Sequence, residues 1–253
     1  MDTVAQISEQ LGSADQAAAF KARRALVVKN AAAGAPGKEA ERTALAAELA
    51  ACLVAKDEAK DDKKKESKPR YSVAARNEIC RALADVGSDA EVPALVQTLN
   101  DFDVREMARF ALDRIPTVAA ATALAEADDK LVGEEFRVGV TNALGKRRDA
   151  VAVEALKKAT ADTSSEIRLA GAEGLALQPD AGGDAVIVEV RKQLGATSPR
   201  AAKRMDIARL QLAATLAKAG QKDAARGIYQ GLASDGADEA QKKAAKSALE
   251  HLG

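Results

Sequence analysis

The sequence has no tryptophan, two tyrosines, four phenylalanines and a single histidine, His251. So few rings leave almost no stacking platform for bases or sugars. One histidine and two cysteines, Cys52 and Cys80, exclude a multi-histidine metal site, a four-cysteine zinc site and a framework of several disulfides. No run of about 18 apolar residues is present, so membrane insertion is not expected. The opening residues, Met1-Asp2-Thr3-Val4, lack a basic segment followed by an apolar one. The chain therefore reads as cytoplasmic as written, and as periplasmic or exported if a removed signal peptide preceded it. Two cysteines do not decide the compartment. Net charge is missing as well: 38 Lys and Arg stand against 38 Asp and Glu. That balance argues against a chain built mainly to coat nucleic acid.

Alanine, by contrast, is abundant, at about a quarter of the 253 residues and far above ordinary usage. It is the best helix former and loses no side-chain entropy on folding. Small side chains also let helix axes approach closely.

A register recurs along the chain: a basic residue, then small or apolar residues at i+3, i+6 and i+7, then a breaker or polar turn. It reads Arg76, Ile79, Ala82, Leu83, closed by Gly87; then Arg105, Ala108, Ala111, Leu112, closed by Pro116. It returns as Arg137, Val140, Ala143, Leu144, and as Arg168, Gly171, Gly174, Leu175 with Pro179. A fifth copy is Arg209, Leu212, Thr215, Leu216 with Gly220, and a truncated sixth is Lys242, Ala245, Ala248, Leu249. This spacing is one helical face. The longer interval before Arg209 holds an insertion at 196–204. Between copies lie shorter apolar stretches: Val92, Leu95, Val96, Leu99; Val118, Ala121, Leu124; Val151, Val153, Leu156; Val186, Val188, Val190, Leu194. Each unit is thus expected to be two antiparallel helices of roughly 11–15 residues. Ser88-x-x-Glu91 and Thr163-x-x-Glu166 fit the capping box. Ser198-Pro199 sets a cap before a first-turn proline, and Pro93 falls in another first turn.

This period and its Arg/Ala/Leu signature resemble HEAT repeats, most closely the short bacterial kind, over residues 71–253. Gly171 and Gly174 depart from the pattern, standing where larger residues are usual. Tetratricopeptide repeats would show a 34-residue period and aromatic landmarks that are missing. The resemblance implies an all-α fold, an α-solenoid, as a right-handed superhelix of stacked antiparallel helix hairpins. Residues 1–55 read as a divergent N-terminal hairpin or cap, with helices at 14–30 and 38–55 around Gly34-Ala35-Pro36-Gly37. Residues 56–70 hold seven basic and five acidic residues and read as a charged flexible linker.

Little in this array points to chemistry. His251 falls in a last helical turn, where a cation suits the helix dipole. HEAT-like hydroxylases of the deoxyhypusine kind use repeated His-Glu pairs, which this chain lacks. Cys52 and Cys80 sit on apolar faces and read as small buried hydrophobes, with a disulfide between hairpins as the rival. Gly34–Lys38 lacks the spacing of a phosphate loop, and Asp180-Ala181-Gly182-Gly183-Asp184 lacks that of a calcium loop. The recurring arginines are expected to pack their stems and pair with neighbouring carboxylates such as Asp103 or Glu166.

Charge is uneven: net +4 over 137–160, +3 over 196–209 and −4 over 126–135. These edges nominate Arg147, Arg148, Lys157, Lys158, Glu134 and Glu135 as partner-binding residues. Phe102, Phe136 and Tyr229 are candidate anchors or core fillers. The expected function is a non-catalytic protein-interaction scaffold, monomeric, with no cofactor, no nucleic acid and a protein partner. The alternatives are an enzyme resembling phycobilin lyases or HEAT-like DNA glycosylases, or a module of a larger exported protein.

Overall fold

The computed structural model describes residues 2–57, 68–130, 133–234 and 238–252. Every regular element among them is helical, in the order α1 (Val4–Leu11), α2 (Gln16–Ala33), α3 (Glu39–Val54), α4 (Val73–Val86), α5 (Val92–Thr98), α6 (Arg105–Arg114) and α7 (Val118–Lys130). There follow α8 (Glu134–Gly145), α9 (Ala150–Ala159), α10 (Ser165–Leu175), α11 (Gly183–Gly195), α12 (Pro199–Lys218), α13 (Lys222–Ser234) and α14 (Glu239–His251). The six repeat copies fall on α4, α6, α8, α10, α12 and α14. Successive helices pair as hairpins, and alternate helices stack: α4 on α6 in the first half, and α8 on α10, α10 on α12, α12 on α14 in the second. This is the packing of an α-solenoid, in which each hairpin buries its apolar faces against its neighbours. None of the described helices is long and apolar enough to cross a membrane.

The chain divides into two compact units, Met1–Ala127 and Asp128–Gly253, with the boundary inside α7. In the first, Ile79, Leu83, Leu95 and Leu112 are fully buried, joined by Leu45, Leu49 and Leu53 from α3. Helices α1, α2 and α3 all pack on α4, so the N-terminal hairpin runs directly into the array. In the second unit, Ile187, Met205, Leu212, Leu216 and Leu232 form a continuous core.

Local signals set most boundaries. Ser88 and Glu91 form a reciprocal capping box, and Ser198 caps α12 ahead of Pro199. Pro93 lies in the first turn of α5. The α12–α13 turn is a Schellman closure: Gly220 takes a φ of +82°, while the Gln221 amide donates to the Leu216 carbonyl at 2.9 Å.

Two expectations need correction, and the insertion gains a structure. The cap of α10 is Ser164, one residue after Thr163, and its hydroxyl accepts from the Ile167 amide at 3.3 Å. Thr163 instead turns to the Asp162 carboxylate. Most of the insertion at 196–204 is helical, because residues 199–204 open the 20-residue α12. The N-terminus holds three helices, not two. Helix α1 is opened by a Thr3–Gln6 capping box and buries Val4, Ile7 and Leu11. Residues 58–67 of the expected linker lie outside the described residues. Its ends are pinned together: Lys56 bridges Pro69 antiparallel, and the Asp57 amide donates to the Lys68 carbonyl at 2.9 Å.

Candidate functional site

The recurring arginines are taken up in packing, but not with the carboxylates expected. On α4, Arg76 pairs with Asp101 and donates from Nε to the Tyr71 carbonyl at 3.2 Å. On α8, Arg137 reaches Asp162 at 2.5 Å and the Asp128 carbonyl at 2.8 Å. On α10, Arg168 donates to Gln193 at 3.0 Å. In each case the partner lies 25 residues on. Asp101 and Asp162 occupy the same place, just beyond the second helix of a hairpin. The other oxygen of each takes a backbone amide two residues later, at 3.1 Å from Asp103 and 2.8 Å from Ser164. One carboxylate thus holds both the loop and the first helix of its hairpin. Arg105 stacks its guanidinium 4.4 Å from the Phe102 ring centroid. Arg209 looks backward to Asp184 in a two-pronged contact at 2.7 and 3.2 Å. Glu166 pairs with Arg204 at 2.7 Å.

The six nominated charges do not converge on one spot. Glu134 and Glu135 are exposed in the first turn of α8, where acids suit the helix dipole. Arg147 and Arg148 follow the end of that 12-residue helix, about 18 Å along its axis. Arg147 is buried, with Nε on Asp149 at 2.8 Å, so it holds the α8–α9 turn and offers little surface. Arg148 is exposed. Lys157 and Lys158 are exposed at the end of α9, and Lys157 pairs with Glu154 at 3.0 Å. Of the aromatic candidates, Phe136 and Tyr229 are buried core residues, and Phe102 is 75% exposed.

His251 lies in the last turn of α14, with Nδ1 2.8 Å from the Ser247 carbonyl oxygen. Both cysteines are free. Burial pushes the Cys80 thiol up to about 12, which leaves it protonated and inert. Cys52 is half-buried, its sulfur 3.9 Å from the Tyr71 hydroxyl. The native chain is therefore expected to offer one reactive thiol at most, Cys52, to a thiol reagent at neutral pH, with Cys80 labelled only in denaturant. Rapid labelling of Cys80 in the native chain would contradict this burial.

The surface that stands out lies in the first unit and was not visible in the sequence. Helix α2 buries only Ala22, Leu26, Asn30 and Ala33, and leaves Phe20, Val27 and Val28 59–66% exposed. On one side of it, against α3 and the start of α1, runs a groove of about 790 Å³. Ile7, Ala25, Val28, Ala32, Ala44 and Leu45 line its apolar part; Lys21, Arg24 and Lys29 stand on the α2 wall, and Glu48 and the Lys38–Glu41 pair on the α3 wall. On the other side of α2, against α4, lies a more polar groove of about 350 Å³ containing Asn30, Glu78 and Asp85. Sequence periodicity misses this feature because alanine on every face of α2 blurs the division between core and surface. Contiguous exposed apolar side chains rimmed by charge are the usual mark of an interaction surface.

Among the described residues, no three or more His, Cys, Asp and Glu side chains group so as to hold a metal ion. The chain matches no protein-family model and no curated protein sequence. Among solved structures it is similar to the complex of CpcE and CpcF of phycocyanin lyase from Nostoc sp. PCC7120, at 19% identity and a TM-score of 0.44, covering 100% of this chain and 95% of that one. It is also similar to human deoxyhypusine hydroxylase in complex with glycerol, at 16% identity and a TM-score of 0.38, covering 98% and 95%. A designed armadillo repeat protein shows 17% identity and a TM-score of 0.29, covering 99% and 100%. The α-solenoid assignment rests on the hairpins and stacking described above, and the chain is an array of stacked helical hairpins.

Proposed function

We propose that this protein is a non-catalytic scaffold that binds another protein through its HEAT-like hairpins. The observation that carries this reading is the exposed apolar ridge and groove of α2, set on packed helices of the first unit. Stacked hairpins of this kind supply a preorganised surface at little entropic cost on binding. The repeat's own arginines support the reading indirectly, since their heads are occupied within the fold.

Affinity capture from native lysate tests it, with washes at low and then high salt and mass spectrometry of what remains. A protein retained in stoichiometric amount is the expected result. Its release at high salt would assign the contact to charged edges, and its retention to an apolar surface. Capture of a pigment or nucleic acid without protein would overturn the scaffold reading in favour of an enzymatic one.

A further inference from the structure

We infer that the groove between α2 and α3 is the docking site for an amphipathic helix whose one flank is acidic, contributed by a protein partner. The inference rests on the scaffold reading and gives it a place and a partner chemistry.

Shape is the first argument. The α2 side chains that face the groove run from Lys21 to Ala33 at helical spacing. Twelve steps of 1.5 Å make about 18 Å, a little over three turns of a docked helix. Ala25, Ala32 and Ala44 keep the walls low, so a third helix axis can approach as closely as ordinary helix packing allows. Leucine-sized side chains at i, i+4 and i+7 of that helix would cover Val28 and the exposed Ala32 and Ala44.

Charge selects the occupant. Helix α2 carries Lys21, Arg23, Arg24 and Lys29 and no acidic residue. Arg23 is held by Glu78 at 2.9 Å. Lys21, Arg24 and Lys29 make no ion pair or hydrogen bond among the described residues. Unpaired cations on one wall call for carboxylates on the facing flank of the partner. On the opposite wall Lys38 pairs with Glu41 at 2.8 Å and Glu48 adds a further carboxylate, so that wall is net acidic and unfavourable to phosphate, which sets the groove apart from a nucleic-acid or anionic-lipid surface. A second copy of this chain stacked end to end is disfavoured too. Its last two helices carry five Lys and Arg against three Asp and Glu, and would bring like charge to α2.

The test uses the full chain and two labelled synthetic 14-residue peptides, followed by fluorescence anisotropy. Both carry the same leucine stripe. One has Glu on one flank and Lys on the other, and the second has Lys on both. The mixed peptide is expected to bind about tenfold more tightly at low salt, and the gap should narrow as salt rises. The triple substitution Lys21→Glu, Arg24→Glu, Lys29→Glu should reverse the preference. Val28→Asp should weaken both peptides about tenfold. Lys21, Arg24 and Val28 are exposed and Lys29 is half-buried, and an unchanged melting curve confirms folding of each variant. Equal affinity for the two peptides, no binding of either, or indifference to Val28→Asp overturns the inference. So does tighter binding of anionic vesicles or single-stranded oligonucleotide than of the mixed peptide. If the groove variants still capture a protein from lysate, the scaffold reading stands and the groove assignment alone falls. If the wild-type chain captures none, it is the scaffold reading that fails.

Discussion

Replacing Gly174 by leucine is expected to destabilise the Asp128–Gly253 unit by about 2–3 kcal/mol, and to unfold it at temperatures the wild-type chain survives. The repeat register places alanine or threonine at this position in the other copies, yet here a glycine is required. A Cβ on Gly174 would overlap Cδ2 of Leu156 and lie 3.2 Å from the Cα of Gly145. Leu156 is fully buried and has no room to retreat. The contact is reciprocal: a Cβ on Gly145 would lie 2.9 Å from the Gly174 Cα. Helices α8 and α10 therefore touch backbone to backbone, and any side chain must force them apart. Gly171 does the same toward α9, where a Cβ would fall 2.9 Å from the Leu156 carbonyl oxygen. Helix propensity opposes this cost, since leucine is favoured over glycine by somewhat under 1 kcal/mol. Steric overlap wins. Gly227 provides the control. It sits inside α13, where an added Cβ would meet no atom within 4 Å, so Gly227→Ala is expected to stabilise by about 0.5–1 kcal/mol. Urea melts of the two variants should move in opposite directions. A Gly174→Leu chain that melts like wild type would refute the close approach.

Asp101→Ala should cost about 3 kcal/mol. The substitution strands the Arg76 guanidinium, whose side chain is 8% exposed, with the Tyr71 carbonyl as its remaining named partner. It also frees the Asp103 amide that Asp101 caps. Removing both charges together, in Arg76→Met with Asp101→Ala, should cost much less than the two single changes added. A double-mutant cycle reads this difference directly. The equivalent Asp162 carries a pH signature. Burial alone would raise its carboxyl, but the Arg137 guanidinium and the Ser164 amide outweigh it and hold it below the ordinary 3.8. The unfolded chain therefore takes up that proton first. The stabilisation is complete above the ordinary value and is lost as the pH falls through the lowered one. Asp162→Asn should lower stability at neutral pH and flatten the acid limb of the stability curve. An unchanged acid limb would show that this pair contributes nothing there.

These two cases also mark how far the sequence could be read. The six-copy register located α4, α6, α8, α10, α12 and α14 because deep apolar residues recur at one face. The caps at Ser88 and Ser198 were legible because each has a single geometry. The 25-residue Arg–Asp spacing was not, because it depends on how the end of a second helix returns to the first. Asp103 sits two residues past the true partner and looks equally suitable in the sequence. Thr163 and Ser164 are adjacent hydroxyls, and only the helix phase decides which one caps. The glycines of the fourth copy looked like departures from the pattern, though they are where helix axes come closest. Arg147 and Arg148 read alike, but one is buried on Asp149 and the other is exposed. The α2 groove had no signature, since exposed Val28 and buried Leu26 differ only in the face they occupy.

The most direct test of the central claim, that this protein binds a partner without converting it, is native mass spectrometry of the full chain with the partner it captures. The account predicts a stoichiometric complex in which the partner's intact mass is the same before and after incubation. A partner whose mass has changed, through an added group or a cleaved bond that depends on this chain, would contradict it.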